Sequence, residues 1–182
     1  EMTELLVLDL VAKKLVTDQL VLTVGYDIEN LSNSAIRQNY KGLVTVDRYG
    51  RQVPKHAHGT ANIDRKTSST KLIMEAVMDL YDRIVDKDLL VRRVNISANH
   101  IVDEESVIQE GSFEQMDLFS YFDADKENKE QEEKELEREK KIQQAMLKIK
   151  NKYGKNAILK GINLEEGGMT IERNKQIGGH KA

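Results

Sequence analysis

Periodic apolar patterns fill the chain up to Glu105 and stop there, although the chain continues to 182 residues. A folded core therefore has to come from the first part of the sequence. The remainder is dominated by Glu and Lys, and 32% of all residues are charged. This composition permits one modest core followed by a long charged helix, and it does not suit a large enzyme.

The patterns before Glu105 predict a short series of helices and strands. Their order is helix, strand, hairpin, strand, helix and strand, over residues 3–19, 20–29, 42–56, 56–64, 67–85 and 89–101. The hairpin turns at Tyr49 and Gly50. The predicted fold class is α+β, with two helices packed on one face of a mostly antiparallel sheet. The other face of the sheet is expected to be polar, basic and free.

The part after Glu105 predicts one more helix between two irregular segments. Residues 106–124 are interpreted as a linker, and residues 126–153 as a charged helix that ends at Gly154. The second half of this helix is expected to dock partly through four side chains, Ile142, Met146, Ile149 and Tyr153. The predicted organisation is a domain at 1–104, a linker at 105–124, and a charged helix with a mobile tail at 125–182.

Charge is distributed unevenly along the chain. Eight Lys or Arg residues lie between Arg37 and Lys71, opposed only by Asp47 and Asp64, although the net charge of the chain is −3. Such a local excess of positive charge indicates an anionic partner, with nucleic acid first. Charge alone does not distinguish this from a solvated surface that binds nothing.

No catalytic constellation is evident in the sequence. The chain has no cysteine, and His56 and His58 share a strand face without a third ligand nearby. The Gly-Gly pairs at 167–168 and 178–179 lack the context of a phosphate loop. The apolar runs are too short to span a membrane, and the start does not resemble a signal peptide. We expect no cofactor in this chain, no membrane partner, and a cytoplasmic location.

A non-catalytic surface for nucleic acid fits the residues better. Arg93 and Ser97 project from one face of a predicted strand, and basic residues flank the hydroxyl-rich helix start at 67–70. Helix N-termini and hydroxyl groups bind phosphate oxygens, whereas a sheet without exposed aromatic rings does not read bases. The predicted contacts to the DNA backbone are Arg48, Arg51, Arg65, Lys66, Thr67, Ser68, Ser69, Arg92, Arg93 and Ser97.

Several stretches together resemble the C-terminal part of a Y-family, UmuC-like translesion DNA polymerase of the ImpB/MucB/SamB type. They are "GYDIENLSNSAIRQNYKG", "VTVDRYGRQVPKHAHGTANI", "TSSTKLIMEAVMDLYDRI", "LLVRRVNISANHI", "QMDLF" and "RNKQIGGHKA". They span most of the chain, and their order and spacing carry the likeness. The first four cover the little finger, the domain that grips the backbones of template and primer.

The resemblance implies a β-α-β-β-α-β fold that lacks its first strand in this chain. An exposed strand edge next to the missing strand favours self-association. The palm domain, which holds magnesium in such polymerases, has no counterpart in this sequence. The resemblance therefore implies an error-prone polymerase fragment that is itself non-catalytic, in SOS-type DNA repair. The resemblance is also compatible with accessory proteins such as RecA and UmuD-like subunits as partners.

The stretch "QMDLF" is similar to the clamp-binding pentapeptide of bacterial replication and repair proteins. The similarity implies that Gln115 binds at the rim of a pocket on the β sliding clamp. Leu118 and Phe119 would fill that pocket, and Met116 would lie along its edge. Alternatively, Leu118 and Phe119 pack on the surface of their own domain. The alternative function for the whole chain is a small α+β protein-interaction module with no role on DNA.

Overall fold

The computed structural model describes residues 1–111, 125–177 and 180–181 of the chain. Its α-helices are α1 Met2–Ala12, α2 Glu29–Ser32, α3 Ser34–Asn39, α4 Thr70–Ile84, α5 Glu104–Gly111, α6 Asp125–Tyr153 and α7 Thr170–Asn174. Its strands are β1 Leu15–Tyr26, β2 Val44–Val46, β3 Gln52–Pro54, β4 Ala57–Thr67, β5 Val91–Asn99, β6 Val102–Asp103, β7 Gln176–Ile177 and β8 His180–Lys181.

The described chain forms two compact units that alternate along the sequence. The sheet unit consists of residues 17–66 and 71–101, and the helical unit of residues 1–16, 67–70 and the described residues from 102 onward. Strands β4, β1 and β5 lie side by side in that order, and β6 pairs with the start of β1. The pairs β1–β5 and β1–β6 are antiparallel. The predicted α+β class with a mostly antiparallel sheet followed by a long helix is confirmed.

The core of the sheet unit lies between α4 and one face of the sheet. Leu22, Val24 and Tyr26 of β1 are buried together with Leu80 of α4. These strand residues are separated by two positions each, so their side chains point to the same face, as the alternation predicted. The buried residues of the helix are Ile73, Val77 and Leu80, whose spacing of four and three residues places them on one side of it.

Gly59 of β4 allows α4 to approach the sheet closely. A Cβ atom at this position would lie 2.9 Å from Cδ1 of Leu80 and 3.2 Å from Cγ2 of Ile84. Leu80 is itself buried in the core, so it has little room to move aside. The absence of a side chain at Gly59 therefore contributes to the fit of helix on sheet.

The first helix is shorter than predicted. The pattern at 3–19 suggested one continuous helix, but α1 ends at Ala12 and β1 begins at Leu15. Lys14 between them has a φ angle of +56°, in the left-handed region that a continuing helix cannot use. The apolar residues after Lys14 belong to the strand, because Val16 and Leu20 are buried there. Leu15 continues the helical spacing of Val11 and Ala12 across two lysines, and this hid the boundary.

The helical unit corrects two further predictions. Part of the predicted linker is helical, since α5 begins at Glu104, where Ser106 donates a hydrogen bond to the Asp103 carbonyl at 2.8 Å. The predicted docking of α6 is only partly right. Helix α6 contacts α1, and Met146 is half-buried, but Ile142 and Tyr153 are exposed. The most buried residue on the docked side is the polar Gln143.

Over the residues that the structure describes, the tail after Gly154 contains a 3₁₀ helix at Gly161–Leu164 and helix α7, and its mobility stays a prediction. Polar contacts hold it within the helical unit. Lys150 Nζ donates to the carbonyl oxygens of Lys155 and Ile158, both at 2.8 Å, and Lys160 pairs with Glu4 at 2.7 Å. Buried Asn163 donates to the Thr170 hydroxyl at 3.0 Å. The prediction considered only apolar content, whereas this segment also forms hydrogen bonds.

None of the helices in the described part of the chain is long and apolar enough to cross a membrane.

Candidate nucleic-acid interface

The face of the sheet away from α4 is exposed and polar. We call it the polar face, and it consists of Gln19, Thr23, His58, Thr60, Asn62, Asn95, Ser97 and Asn99. Cross-strand hydrogen bonds join these side chains into rows. Gln19 donates to Asn62 and accepts from Asn99, each at 3.0 Å, and the Thr23 hydroxyl lies 2.9 Å from Nδ1 of His58. The rows present donors and acceptors in fixed positions.

A groove with four arginines adjoins the polar face. We call it the arginine groove. The β2–β3 hairpin contributes Arg48 and Arg51, and the start of β5 contributes Arg92 and Arg93. The groove has an open volume of about 520 Å³. Thr23 and Asn95 line it as well, so it is continuous with the polar face. The sequence predicted all four arginines as DNA contacts, and the fold brings them together.

A β-bulge explains how neighbouring arginines reach the same groove. Gly25 pairs with Arg93 and Tyr26 pairs with Val91, so Arg92 is the extra residue between them. Strict alternation placed Arg92 on the face opposite Arg93. A bulge reorients one side chain relative to the regular pleat. Arg92 and Arg93 therefore both line the groove.

Asp47 fixes one wall of the groove by holding the hairpin turn. Its Oδ1 accepts hydrogen bonds from the backbone N–H groups of Tyr49 and Arg51, at 2.8 and 3.0 Å. Its Oδ2 accepts from Nε and Nη2 of Arg51, at 2.9 and 2.7 Å. The hydrogen bonds from the Arg51 side chain and backbone lower the pKa of Asp47 from 3.8 to about 2. The carboxylate is thus charged at neutral pH and orients the Arg51 guanidinium.

The remaining arginines differ in how far their charge is compensated. Arg92 lies 3.4 Å from the carboxylate of Asp27, at an exposed position where such a pair is weak. Within the described residues, Arg48 and Arg93 have no carboxylate partner. Arg48 donates to the Tyr49 hydroxyl, and Arg93 donates to Asn95 at 3.3 Å. Arg48 and Arg93 are therefore the arginines of the groove best placed to bind an added anion.

The other predicted DNA contacts lie outside the groove. Ser97 is on the polar face, opposite Val21 of β1. Arg65 and Lys66 lie at the end of β4 and do not line the groove. The sequence did not predict this separation, because it depends on where β4 ends. Strand β4 extends to Thr67 and carries Arg65 and Lys66 away from the β2–β3 hairpin.

The hydroxyl groups before α4 are used inside the helical unit. Thr67 and Ser69 are buried, and Thr67 accepts a hydrogen bond from the Ser69 backbone at 3.0 Å. The Ser69 hydroxyl donates to Glu139 at 2.6 Å, and Gln143 donates to the Ser68 carbonyl at 3.1 Å. The hydroxyl groups of Thr67 and Ser69 thus already have partners within the helical unit, and the phosphate contacts at 67–69 stay a prediction. The sequence gave no indication that α6 contacts Ser68 and Ser69.

Tyr49 and Asp47 are two members of the arginine groove that the sequence did not predict as contacts. Tyr49 lines the arginine groove and is 65% exposed. The sequence feature that could have indicated Tyr49 as a contact is the stretch "DRYGR", in which one aromatic residue stands between two arginines in a turn. The clamp-binding prediction for Gln115, Met116, Leu118 and Phe119 lies outside the described residues.

Metal ligands do not cluster in the described part of the chain, where no group of three His, Cys, Asp or Glu residues is placed to hold an ion. The fold and the site together define an α+β domain whose free sheet face adjoins an arginine-rich groove. A comparison with models of known protein families finds no match for this chain. A comparison with curated proteins finds none either.

Proposed function

We propose that this chain is the non-catalytic, DNA-gripping and clamp-tethering part of an error-prone translesion DNA polymerase of the cytoplasm. The observation that carries the DNA-binding half of this proposal is the arginine groove beside the polar face. Four guanidinium groups and one carboxylate line the groove, so its net charge suits a chain of phosphates. The polymerase context comes from the resemblance described above.

The chemistry of the surface favours binding without sequence preference. Guanidinium groups form bidentate hydrogen bonds to phosphate oxygens, which every nucleotide offers alike. Arg48 and Arg93 are exposed and have donors left for such contacts. The amides and hydroxyls of the polar face add neutral hydrogen bonds along the same surface. Magnesium-dependent nucleotidyl transfer would take place in a palm domain outside this sequence.

Titration of a fluorescent primer–template at several salt concentrations tests the DNA-binding half. Each phosphate contact that is lost should reduce the slope of log affinity against log salt by about 0.9. The double variant Arg48→Ala/Arg93→Ala should therefore bind more weakly and with a slope smaller by roughly 1.8. The matched control is Arg138→Ala, which removes an exposed arginine of α6. Binding by the wild type that does not respond to salt would contradict the proposal.

The clamp-tethering half is tested separately. Alanine at both Leu118 and Phe119 should abolish binding to the β sliding clamp, because the two apolar side chains would no longer fill its pocket. Binding of the same variant to primer–template should stay unchanged, which serves as the internal control. Clamp binding that survives the double substitution would contradict this half of the proposal.

The competing function is a protein-interaction module without a role on DNA. It predicts that the wild type binds neither primer–template nor single-stranded DNA. If the wild type shows no salt-dependent binding to either DNA, the result favours the interaction module. Participation of RecA or UmuD-like subunits is part of the polymerase proposal and is tested by adding them to the primer–template titration.

A further inference from the structure

The β2–β3 turn carries an exposed aromatic ring inside the arginine groove. Tyr49 is 65% exposed, and the guanidinium carbons of Arg48 and Arg51 lie 4.7 and 5.0 Å from its ring centroid. We propose that Tyr49 and these two arginines form a stacking site for an unpaired DNA base. The arginine groove would then hold the single-stranded template next to the duplex. This inference rests on the proposed DNA-binding function and goes beyond it.

The ring is held in place before any ligand arrives. Asp47 accepts hydrogen bonds from the backbone N–H groups of Tyr49 and Arg51, which fixes the turn. Gly50 has a φ angle of +78°, which closes the turn without strain. Arg48 donates to the Tyr49 hydroxyl, and Asp47 anchors Arg51 through two further hydrogen bonds. A ring that is already ordered loses little freedom when a base stacks on it.

Single-stranded DNA is the ligand that matches this chemistry. Bases stack on aromatic rings and on guanidinium planes, and every base offers such a face. In a duplex these faces are already covered by neighbouring base pairs, and exposing one costs energy. The arginines beside Tyr49 supply positive charge for the phosphates that connect the bases. A groove that combines both features is typical of surfaces that bind single strands without sequence preference.

The apolar surface of the hairpin agrees with this ligand. Leu43 and Val46 are 67% and 65% exposed, and Val46 lines the arginine groove together with Tyr49. Apolar side chains at a groove lined by four arginines suit a ligand with apolar and anionic parts. A DNA strand has such parts in its bases and its phosphates. This combination favours a nucleic-acid strand over an apolar protein segment, which would bring no anionic group to Arg48 and Arg93.

The experiment compares three DNA probes of matched sequence. They are a single strand, a blunt duplex, and a primer–template whose overhang carries 2-aminopurine. Tyr49→Ala should weaken binding of the single strand by about 10-fold or more, since it removes one stacked base. Binding of the blunt duplex should change by less than about twofold, because surface substitutions away from a contact have small effects. Fluorescence of 2-aminopurine should be quenched by the wild type and not by Tyr49→Ala.

Two further variants serve as controls. Tyr49→Phe keeps the ring and should retain most of the single-strand affinity. Tyr153→Ala removes a tyrosine that is equally exposed and has Lys152 at 5.1 Å from its ring centroid, but lies on α6. It should leave the binding of all three probes unchanged. Retained duplex binding by Tyr49→Ala also shows that the variant is folded.

The outcomes separate this inference from the proposed function. If the wild type binds the duplex and Tyr49→Ala binds the single strand as well as the wild type does, the stacking site is wrong and the proposed function is unaffected. If Tyr49→Ala weakens the binding of duplex and single strand equally, the proposed stacking site is also wrong. If the wild type binds no DNA probe, the proposed function itself fails. A selective loss of single-strand binding and of quenching supports the inference.

Discussion

Asp47 is the residue on which the geometry of the arginine groove depends most. It accepts four hydrogen bonds, two from backbone N–H groups of the turn and two from the Arg51 side chain. Backbone shape and the direction of a cationic side chain are thus controlled by one carboxylate. The pKa of Arg51 is raised in turn, because its guanidinium donates hydrogen bonds to the Asp47 carboxylate.

The low pKa of Asp47 predicts how the hairpin responds to acid. Because its pKa in the folded state is about 2, below the ordinary 3.8, the carboxylate stabilises the hairpin fully above about pH 4. This contribution is lost as the pH falls through the folded pKa. An NMR titration of the Asp47 side-chain carbon should give a midpoint near 2. A midpoint near 3.8 would contradict the four hydrogen bonds to this carboxylate.

Helix α4 packs closely on the sheet at Gly59. Substitution by alanine there should destabilise the protein by about 1–3 kcal/mol, since the added methyl group overpacks the contact with Leu80 and Ile84. Gly25 is a matched control in the adjacent strand. A Cβ atom at Gly25 would lie 3.7 Å from Cβ of Arg93, which is an ordinary contact.

Urea denaturation measures both glycine variants. Gly25→Ala should be neutral or slightly stabilising, because glycine weakens the interior of a strand. Equal unfolding midpoints for Gly59→Ala and Gly25→Ala would show that α4 does not pack as closely on β4 as the structure has it.

Lys150 links the end of α6 to the segment that follows. Burial lowers the pKa of this lysine, yet its ammonium donates to the carbonyl oxygens of Lys155 and Ile158. Lys150→Met keeps the apolar stem and removes the charge. Hydrogen exchange of the backbone amides at 155–164 should then become about 10-fold faster or more, since charge-assisted hydrogen bonds are lost.

The control for this experiment is Lys148→Met, at an exposed position of the same helix. It should leave the exchange at 155–164 unchanged. If both variants exchange like the wild type, the tail is held by something other than Lys150.

The elements with regular apolar spacing were predictable from the sequence, and the exceptions have physical causes. The faces of β1 and α4 followed directly from their periodicity, because burial on one side requires it. A regular strand would place Arg92 and Arg93 on opposite faces, but a bulge between Gly25 and Tyr26 breaks this alternation. Nothing in the local sequence requires that bulge.

At the scale of the whole molecule, long-range polar contacts were the feature least predictable from the sequence. Thr67 and Ser69 were assigned to phosphate binding because local sequence shows hydroxyl groups at a helix start. In the structure Thr67 accepts a hydrogen bond from the Ser69 backbone, and the Ser69 hydroxyl donates to Glu139, which is 70 residues away. The tail was judged by apolar content alone and was therefore expected to be mobile. Hydrogen bonds between distant residues leave no periodic signal in a sequence.

The sequence predicted the arginines of the groove as contacts but not their grouping into one site. Each arginine could be named as a candidate, but their grouping depends on the hairpin and the start of β5 being neighbours in the fold. Tyr49 was missed because aromatic residues were sought on strands and not in turns. Self-association through an outer strand of the sheet stays a prediction, and sedimentation equilibrium at several protein concentrations tests it.

The central claim is that DNA binds at the polar face and the arginine groove. The most direct measurement is a titration of the ¹⁵N-labelled chain with primer–template DNA, followed by amide chemical shifts. Our account predicts the largest shifts in the hairpin at residues 44–54 and in β5 at residues 92–99, with little change along α4 on the opposite face of the sheet. Shifts concentrated along α4, with the hairpin and β5 unchanged, would contradict it.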